Sequence, residues 1–170
     1  MNKKLILYFA AFCNSGNFKW HSSGANTKIK QMIDILKNTQ DNIYFFNYAP
    51  KEKTKLSISS YDICSSFNPI IYRLQILFSF LYIRKIILNR FNQTNLIIYN
   101  ANLVSFLFYL SSRIFYNKID LIIQVEDLPG ARVDNIGLKG FFDKLIFKFL
   151  LGKSSLVLFA SKGMKIQAQK

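Results

Sequence analysis

Glu126 and Asp127 stand side by side directly after the apolar run DLIIQV (120–125). Two carboxylates at the end of a buried strand have the chemistry of a general base, or of acceptors that orient a ligand hydroxyl. The competing use of such a pair is in a turn or a helix cap. Arg132, six residues on, either serves a phosphate or pairs with Asp134. The pair is not a D-x-D motif. With one histidine, His21, and two distant cysteines, Cys13 and Cys64, neither an imidazole metal centre nor a CxxC zinc site is expected. No metal and no cofactor is therefore predicted.

A second group of residues follows the first apolar run. Ser22-Ser23-Gly24-Ala25-Asn26 opens a helical pattern. Backbone N–H groups at a helix start, helped by the helix dipole, can hold a phosphate, and Gly24 allows close approach to the backbone. The alternative is that Ser22 or Ser23 caps the helix and Gly24 relieves the turn. Gly16 and Gly24 are eight residues apart, so neither G-x-G-x-x-G nor G-x-x-x-x-G-K-[ST] is present. His21 and Trp20 read as a loop-packing pair. Asn100 and Asn102 flank a strand end, where they contact a ligand or do ordinary turn and capping duty.

Strands alternating with helices must position these residues. KLILYFAAF (4–12) is continuously apolar, as in a strand covered on both faces. A helix is expected over 25–38, with Ala25, Ile29, Met32, Ile33 and Leu36 on one face. Strands follow at 42–48, 95–100, 120–125 and 155–160, with a short one at 55–59. One long helix is predicted over 70–91 and another over 102–117. In 138–151, Leu138, Phe141, Phe142, Leu145, Ile146 and Phe149 form one face, opposite Lys139, Asp143, Lys144 and Lys148. Ser161 is placed to cap a final helix. The alternation predicts a single α/β domain over 1–170: a doubly wound, mostly parallel Rossmann-like sheet with helices on both faces. Ligands of such sheets bind outside the carboxyl ends of the strands. The loops 13–26, 100–102 and 126–137 lie at such ends, with a short turn at 160–163.

Bulk composition narrows the classes. The 170 residues are 51% hydrophobic and 16% aromatic, which excludes intrinsic disorder. The net charge of +14 points to a polyanionic neighbour, or to a basic solvated surface. It is spread as +4 over 1–48, +5 over 49–92 and +5 over 93–170, whereas nucleic-acid binders concentrate their charge in a stripe or tail. No disulfide framework is expected, and a reducing cytoplasmic setting fits. The N-terminal apolar run is short, has Phe12 before Cys13 and lacks an A-x-A-like site, so a strand is expected there and not a signal sequence. The run 69–88 is interrupted by Arg73, Gln75, Arg84 and Lys85, too polar for a membrane span. The aromatic, basic stripe in 70–91 is assigned mainly to the core, with contact to an anionic bilayer as the alternative.

Taken in order, SSGANTKIKQMIDIL, the strand ending in NAN, QVEDLPGAR and LVLFASKGM resemble the N-terminal Rossmann-like domain of retaining, GT-B-fold glycosyltransferases of family 4. These enzymes build bacterial capsule, lipopolysaccharide and other surface glycans. The resemblance covers essentially the whole chain. It implies that this domain binds the acceptor, with Ser23, Gly24 and Ala25 reaching toward the donor phosphates and the acceptor. Many members carry a polar or charged residue, often His, at the end of the strand that here ends in Gln124-Val125. This chain departs from that pattern, and Glu126 and Asp127, which stand near it instead, are the catalytic candidates. Asn100, Asn102 and Arg132 are the further substrate-binding candidates. The second Rossmann-like domain, which holds the nucleotide-sugar in the family, has no counterpart here.

The expectation is therefore the acceptor-binding half of a glycosyltransferase, inactive alone. Its implied partners are a nucleotide-sugar donor held by a missing or separate domain, and a glycan or lipid-pyrophosphate-linked acceptor. Peripheral contact with an anionic membrane at its cytoplasmic face is implied too, and no nucleic acid. Two rivals are a small flavodoxin-like or response-regulator-like module and a basic nucleic-acid-associated domain. AAFCNSGN offers no carboxylate, which argues against a phospho-acceptor receiver.

Overall fold

The computed structural model describes residues 4–13, 23–39, 42–50, 56–87, 93–114, 119–126 and 138–161. Six strands, β1 (Lys4–Ala10), β2 (Asn42–Asn47), β3 (Ser59–Asp62), β4 (Gln93–Tyr99), β5 (Asp120–Val125) and β6 (Ser154–Phe159), form one sheet. Every pairing is parallel, and the order is β3-β2-β1-β4-β5-β6. Five helices connect them: α1 (Ser23–Lys37), α2 (Pro69–Leu77), α3 (Phe80–Ile87), α4 (Leu103–Arg113) and α5 (Leu138–Lys153). The protein is an α/β, doubly wound, Rossmann-like sheet flanked by helices.

The strand period of two explains why β1 reads as unbroken apolar sequence. Its residues Leu5, Leu7 and Phe9 face one side, where they pack with Ile76, Ile83, Phe108, Phe147 and Leu150 from α2 to α5. Ile6, Tyr8 and Ala10 face the other side and meet Ile29, Ile33 and Leu36 of α1. Phe9 lies between two rings, stacked on Phe108 at 4.1 Å and on Tyr48 at 4.6 Å between centroids.

Three expectations are corrected. The single helix predicted over 70–91 divides at Phe78-Ser79 into α2 and α3. Asn68 caps α2, accepting from Ile70 N and Ile71 N, with Pro69 in the first turn. At the break, Ser79 is fully buried and its hydroxyl bonds that of Ser111 in α4 at 3.0 Å. A buried hydroxyl must be paired, and this pairing fixes the break against α4. The aromatics of this stretch divide too. Tyr72 packs on the core and Tyr82 meets Tyr61 at 5.5 Å, whereas Phe78 is exposed.

The short strand lies at 59–62 and not at 55–59. Tyr61 on β3 stacks beside Phe46 at 5.3 Å, while Leu56 and Ile58 pack on the α1 side before the strand begins. The apolar face of α5 is corrected in orientation. Leu138 is 80% exposed and Phe141 and Phe142 are each 58% exposed, while Phe147 and Leu150 are the residues that meet the sheet. The final helix expected after Ser161 lies outside the described residues.

Candidate functional site

The strand order places a topological switch between β1 and β4. The chain leaves β1 for α1 on one face and leaves β4 for α4 on the other. Their carboxyl ends thus diverge and open a crevice. The residues at its floor and rim are 11–13 after β1, 100–102 after β4, Asn47 at the end of β2, Gln124 and Val125 at the end of β5 and Glu126 just after it.

Two asparagine amides fix the segment leaving β1. Asn47 is fully buried, and its Oδ1 accepts from Phe12 N at 2.9 Å and Ala49 N at 3.0 Å. Its Nδ2 donates to Phe12 O at 3.0 Å and to Asp62 Oδ1 at 3.2 Å. One residue on, Asn26 repeats the pattern: Oδ1 accepts from Cys13 N at 3.3 Å and Nδ2 donates to Cys13 O at 2.6 Å. A side-chain amide offers one donor and one acceptor, as a peptide does. The two amides therefore act as rungs beyond the last backbone pairing of β1. Asn26 also brings the first turn of α1 against the end of β1.

Asn100 performs the matching task between β4 and β5. Its φ of 60° is left-handed, a conformation Asn tolerates better than most side chains. Its N–H donates to Gln124 O at 2.8 Å, and its Oδ1 accepts from Glu126 N at 2.8 Å. Asn102 caps α4 in a reciprocal box with Ser105: Ser105 N donates to Asn102 Oδ1 at 3.0 Å, and Asn102 N donates to Ser105 Oγ at 2.8 Å. Ser105 Oγ donates onward to Asn100 O at 2.7 Å.

A polar line then runs outward from the sheet. The buried Tyr8 hydroxyl donates to Gln124 Oε1 at 3.2 Å, and Gln124 Nε2 donates to Glu126 Oε1 at 3.3 Å. The other oxygen of Glu126, Oε2, forms an ion pair with Lys28 Nζ of α1. Burial pushes the Tyr8 phenol well above its ordinary range, with Tyr99, Glu126 and Tyr48 adding to the effect, so Tyr8 stays a neutral donor. The Glu126 side chain is 11% exposed and that of Lys28 46%, so the pair stands at the border between core and solvent. Such a carboxylate can accept from a ligand hydroxyl while Lys28 offers a cation to a neighbouring anion.

Of the residues singled out in sequence, the structure brings Glu126, Asn100, Asn102, Gly24 and Ala25 to the strand ends. Asn100 and Asn102 hold backbone there. Gly24 is exposed and Ala25 half-buried in the first turn of α1, which opens at Ser23. Asp127 and Arg132 lie outside the described residues, as do His21, Trp20 and Ser22. Sequence reasoning missed the linkage of Tyr8, Gln124 and Lys28 to Glu126, and the clamping role of Asn26 and Asn47. The one visible signal was a polar residue at or next to the end of two apolar strands: Asn47, last in NIYFFN, and Gln124, last but one in DLIIQV. Among the described residues, no group of three or more His, Cys, Asp or Glu side chains gathers to hold a metal.

These features define an α/β protein with a polar crevice at the switch of its sheet. No protein-family model matches the chain, and a search of curated proteins finds no significant match.

Proposed function

We propose that the chain is the acceptor-binding half of a glycosyltransferase that moves a sugar from a nucleotide-sugar to a glycan or lipid-linked acceptor in bacterial surface polysaccharide synthesis. The observation that carries this reading is Glu126, held at the switch-point crevice by Asn100 and Gln124 and paired with Lys28. In the reaction, the acceptor oxygen bonds to the anomeric carbon and gives up its proton to the departing phosphate, while the bond from that carbon to the phosphate oxygen breaks. Glu126 orients the acceptor hydroxyl, and Lys28 with the first-turn N–H groups of α1 faces the departing phosphate. A second domain, on a continuing or separate chain, supplies the nucleotide pocket. Nucleotide-sugars are cytoplasmic, and this reading puts the chain there, at the inner face of the membrane.

The test pairs binding with turnover. Incubated with common nucleotide-sugars and lipid-pyrophosphate-linked glycans, the isolated chain binds an acceptor and transfers nothing. Glu126→Gln weakens that binding about tenfold, the loss of one charge-assisted hydrogen bond. Turnover by the isolated chain overturns the half-enzyme reading, and absence of binding to every acceptor overturns the assignment.

A second reading has one observation in its favour. Without the four-residue edge strand β3, the remaining strands run in the order 2-1-3-4-5 when renumbered, which is that of flavodoxin-like modules. Flavin absorbance in the purified protein supports that reading in place of the first.

A further inference from the structure

The helix layer α2 to α5 covers one face of the sheet with its inner side, and its outer side is apolar as well. On α5 the stripe from Leu138 through Phe141, Phe142 and Leu145 to Phe149 is exposed along the whole helix. On α2 the exposed residues include Ile70, Ile71 and Leu74, with Phe78 just beyond its end. Leu110 and Ile114 continue the surface on α4, which contacts both α2 and α5. Isolated exposed leucines are ordinary, whereas a connected apolar surface over adjacent helices marks an interaction site.

The charges carried by the same helices identify the occupant. Their sequences hold eight basic residues (Arg73, Arg84, Lys85, Arg113, Lys139, Lys144, Lys148, Lys153) and one acid, Asp143. Lys144 and Lys148 are exposed within a turn of Phe141, Phe142, Leu145 and Phe149. The core of a protein–protein contact is depleted of charge, and lysine is disfavoured there. A second copy would also set this cationic surface against itself. An anionic bilayer meets both demands: apolar side chains enter the acyl boundary while lysine and arginine stems reach back to the phosphates. The longest of the four helices has 16 residues, and no described helix is long and apolar enough to cross a membrane, so the contact is one of surface and not of span.

We propose that the outer surface of the α2–α5 layer seats on an anionic lipid bilayer, with Phe141 and Phe142 inserted at the acyl boundary and Lys144 and Lys148 on the lipid phosphates. The proposal gives a surface to the membrane contact that the sugar-transfer reading also expects, but it is argued from this face alone, so a failed vesicle test leaves the acceptor-binding test of that reading standing.

Co-sedimentation of the full chain with vesicles tests it. Partition into phosphatidylcholine vesicles containing about one third phosphatidylglycerol is at least tenfold stronger than into phosphatidylcholine alone. It falls severalfold when salt is raised to about 0.5 M. Phe141→Ser with Phe142→Ser lowers partition about tenfold and leaves circular dichroism and thermal unfolding unchanged, because both rings are exposed. Lys144→Glu with Lys148→Glu removes the preference for anionic vesicles. Equal partition into both vesicle types overturns the proposal, as does binding that the Phe141/Phe142 variant retains in full. Light scattering that shows a dimer, dissolved by the same substitutions and unable to bind vesicles, assigns the face to a second copy instead.

Discussion

Lys28 on α1 and Glu126 at the carboxyl end of β5, 98 residues apart in sequence, form an ion pair at the mouth of the crevice. The Lys28 side chain is close to half exposed, so water screens the pair and its contribution to folding is small. Lys28→Ala is expected to lower stability by about 0.2–1 kcal/mol in urea unfolding, and less at high salt. A larger loss would mean that Lys28 packs as well as pairs. The same variant measured for acceptor binding separates a phosphate-facing cation from a merely structural one.

Asn100 combines a left-handed backbone with a side-chain acceptor for Glu126 N. Glycine keeps the backbone and loses the acceptor, and alanine loses both. Asn100→Ala is therefore expected to be less stable than Asn100→Gly by about 1 kcal/mol, the cost of placing a Cβ at positive φ. Equal stability of the two variants would show that the backbone there carries no strain for alanine.

Asn47 is the most heavily used amide of the site, with four hydrogen bonds. Asn47→Ala leaves Phe12 N and O without this partner at a fully buried position. The expected cost is about 3 kcal/mol, as several buried polar groups become unsatisfied. Asn47→Asp keeps the volume but cannot donate to Phe12 O, and it sets a carboxylate beside Asp62. It should recover little of the loss at neutral pH. Chemical denaturation of both variants checks this ordering.

Alkaline pH should unfold the protein through its buried acids. Burial pushes the Cys64 thiol from 9.0 up to about 12, and it drives the phenols of Tyr8 and Tyr72 well above their ordinary 10.0. Above pH 9.0 the unfolded chain releases the Cys64 proton before the folded chain does. The unfolded state then binds fewer protons, and stability falls by about 1.4 kcal/mol per pH unit for each such group. Below that pH Cys64 contributes no slope. Cys64→Ala is expected to flatten the decline between about pH 9 and 10, leaving the tyrosines to act above it. Urea unfolding across that range reads the slope directly.

The alternation of strands and helices was legible because period two and period 3.6 leave different marks, most clearly in β1 and α1. The break between α2 and α3 was not, since Ser79 is fixed by Ser111, 32 residues away. The orientation of α5 was hidden for a different reason. Its apolar residues lie on two sides, Leu138 and Phe142 on one and Phe147 and Leu150 on another, and the larger apolar side, opposite the lysines, is the one that turns outward. At the site, Glu126 was visible as a carboxylate at a strand end. Asn26 and Asn47 were not visible as clamps, because an amide that imitates a peptide bond leaves no motif, and the Tyr8–Gln124 contact joins residues 116 positions apart.

The strand order also governs how the chain assembles. The pairing of Lys4 with Gln93 closes a separation of 89 residues (93 minus 4), while β1–β2 and β4–β5–β6 join segments closer in sequence. Closing so long a loop has an entropic cost that must be met before the contacts reward it, and parallel pairing of this kind is slow. As the chain leaves the ribosome, one edge of β1 has no neighbour until residues 93–98 have emerged. The β1–β4 seam, where the crevice opens in the finished protein, is thus the pairing in the sheet with the largest loop-closure cost.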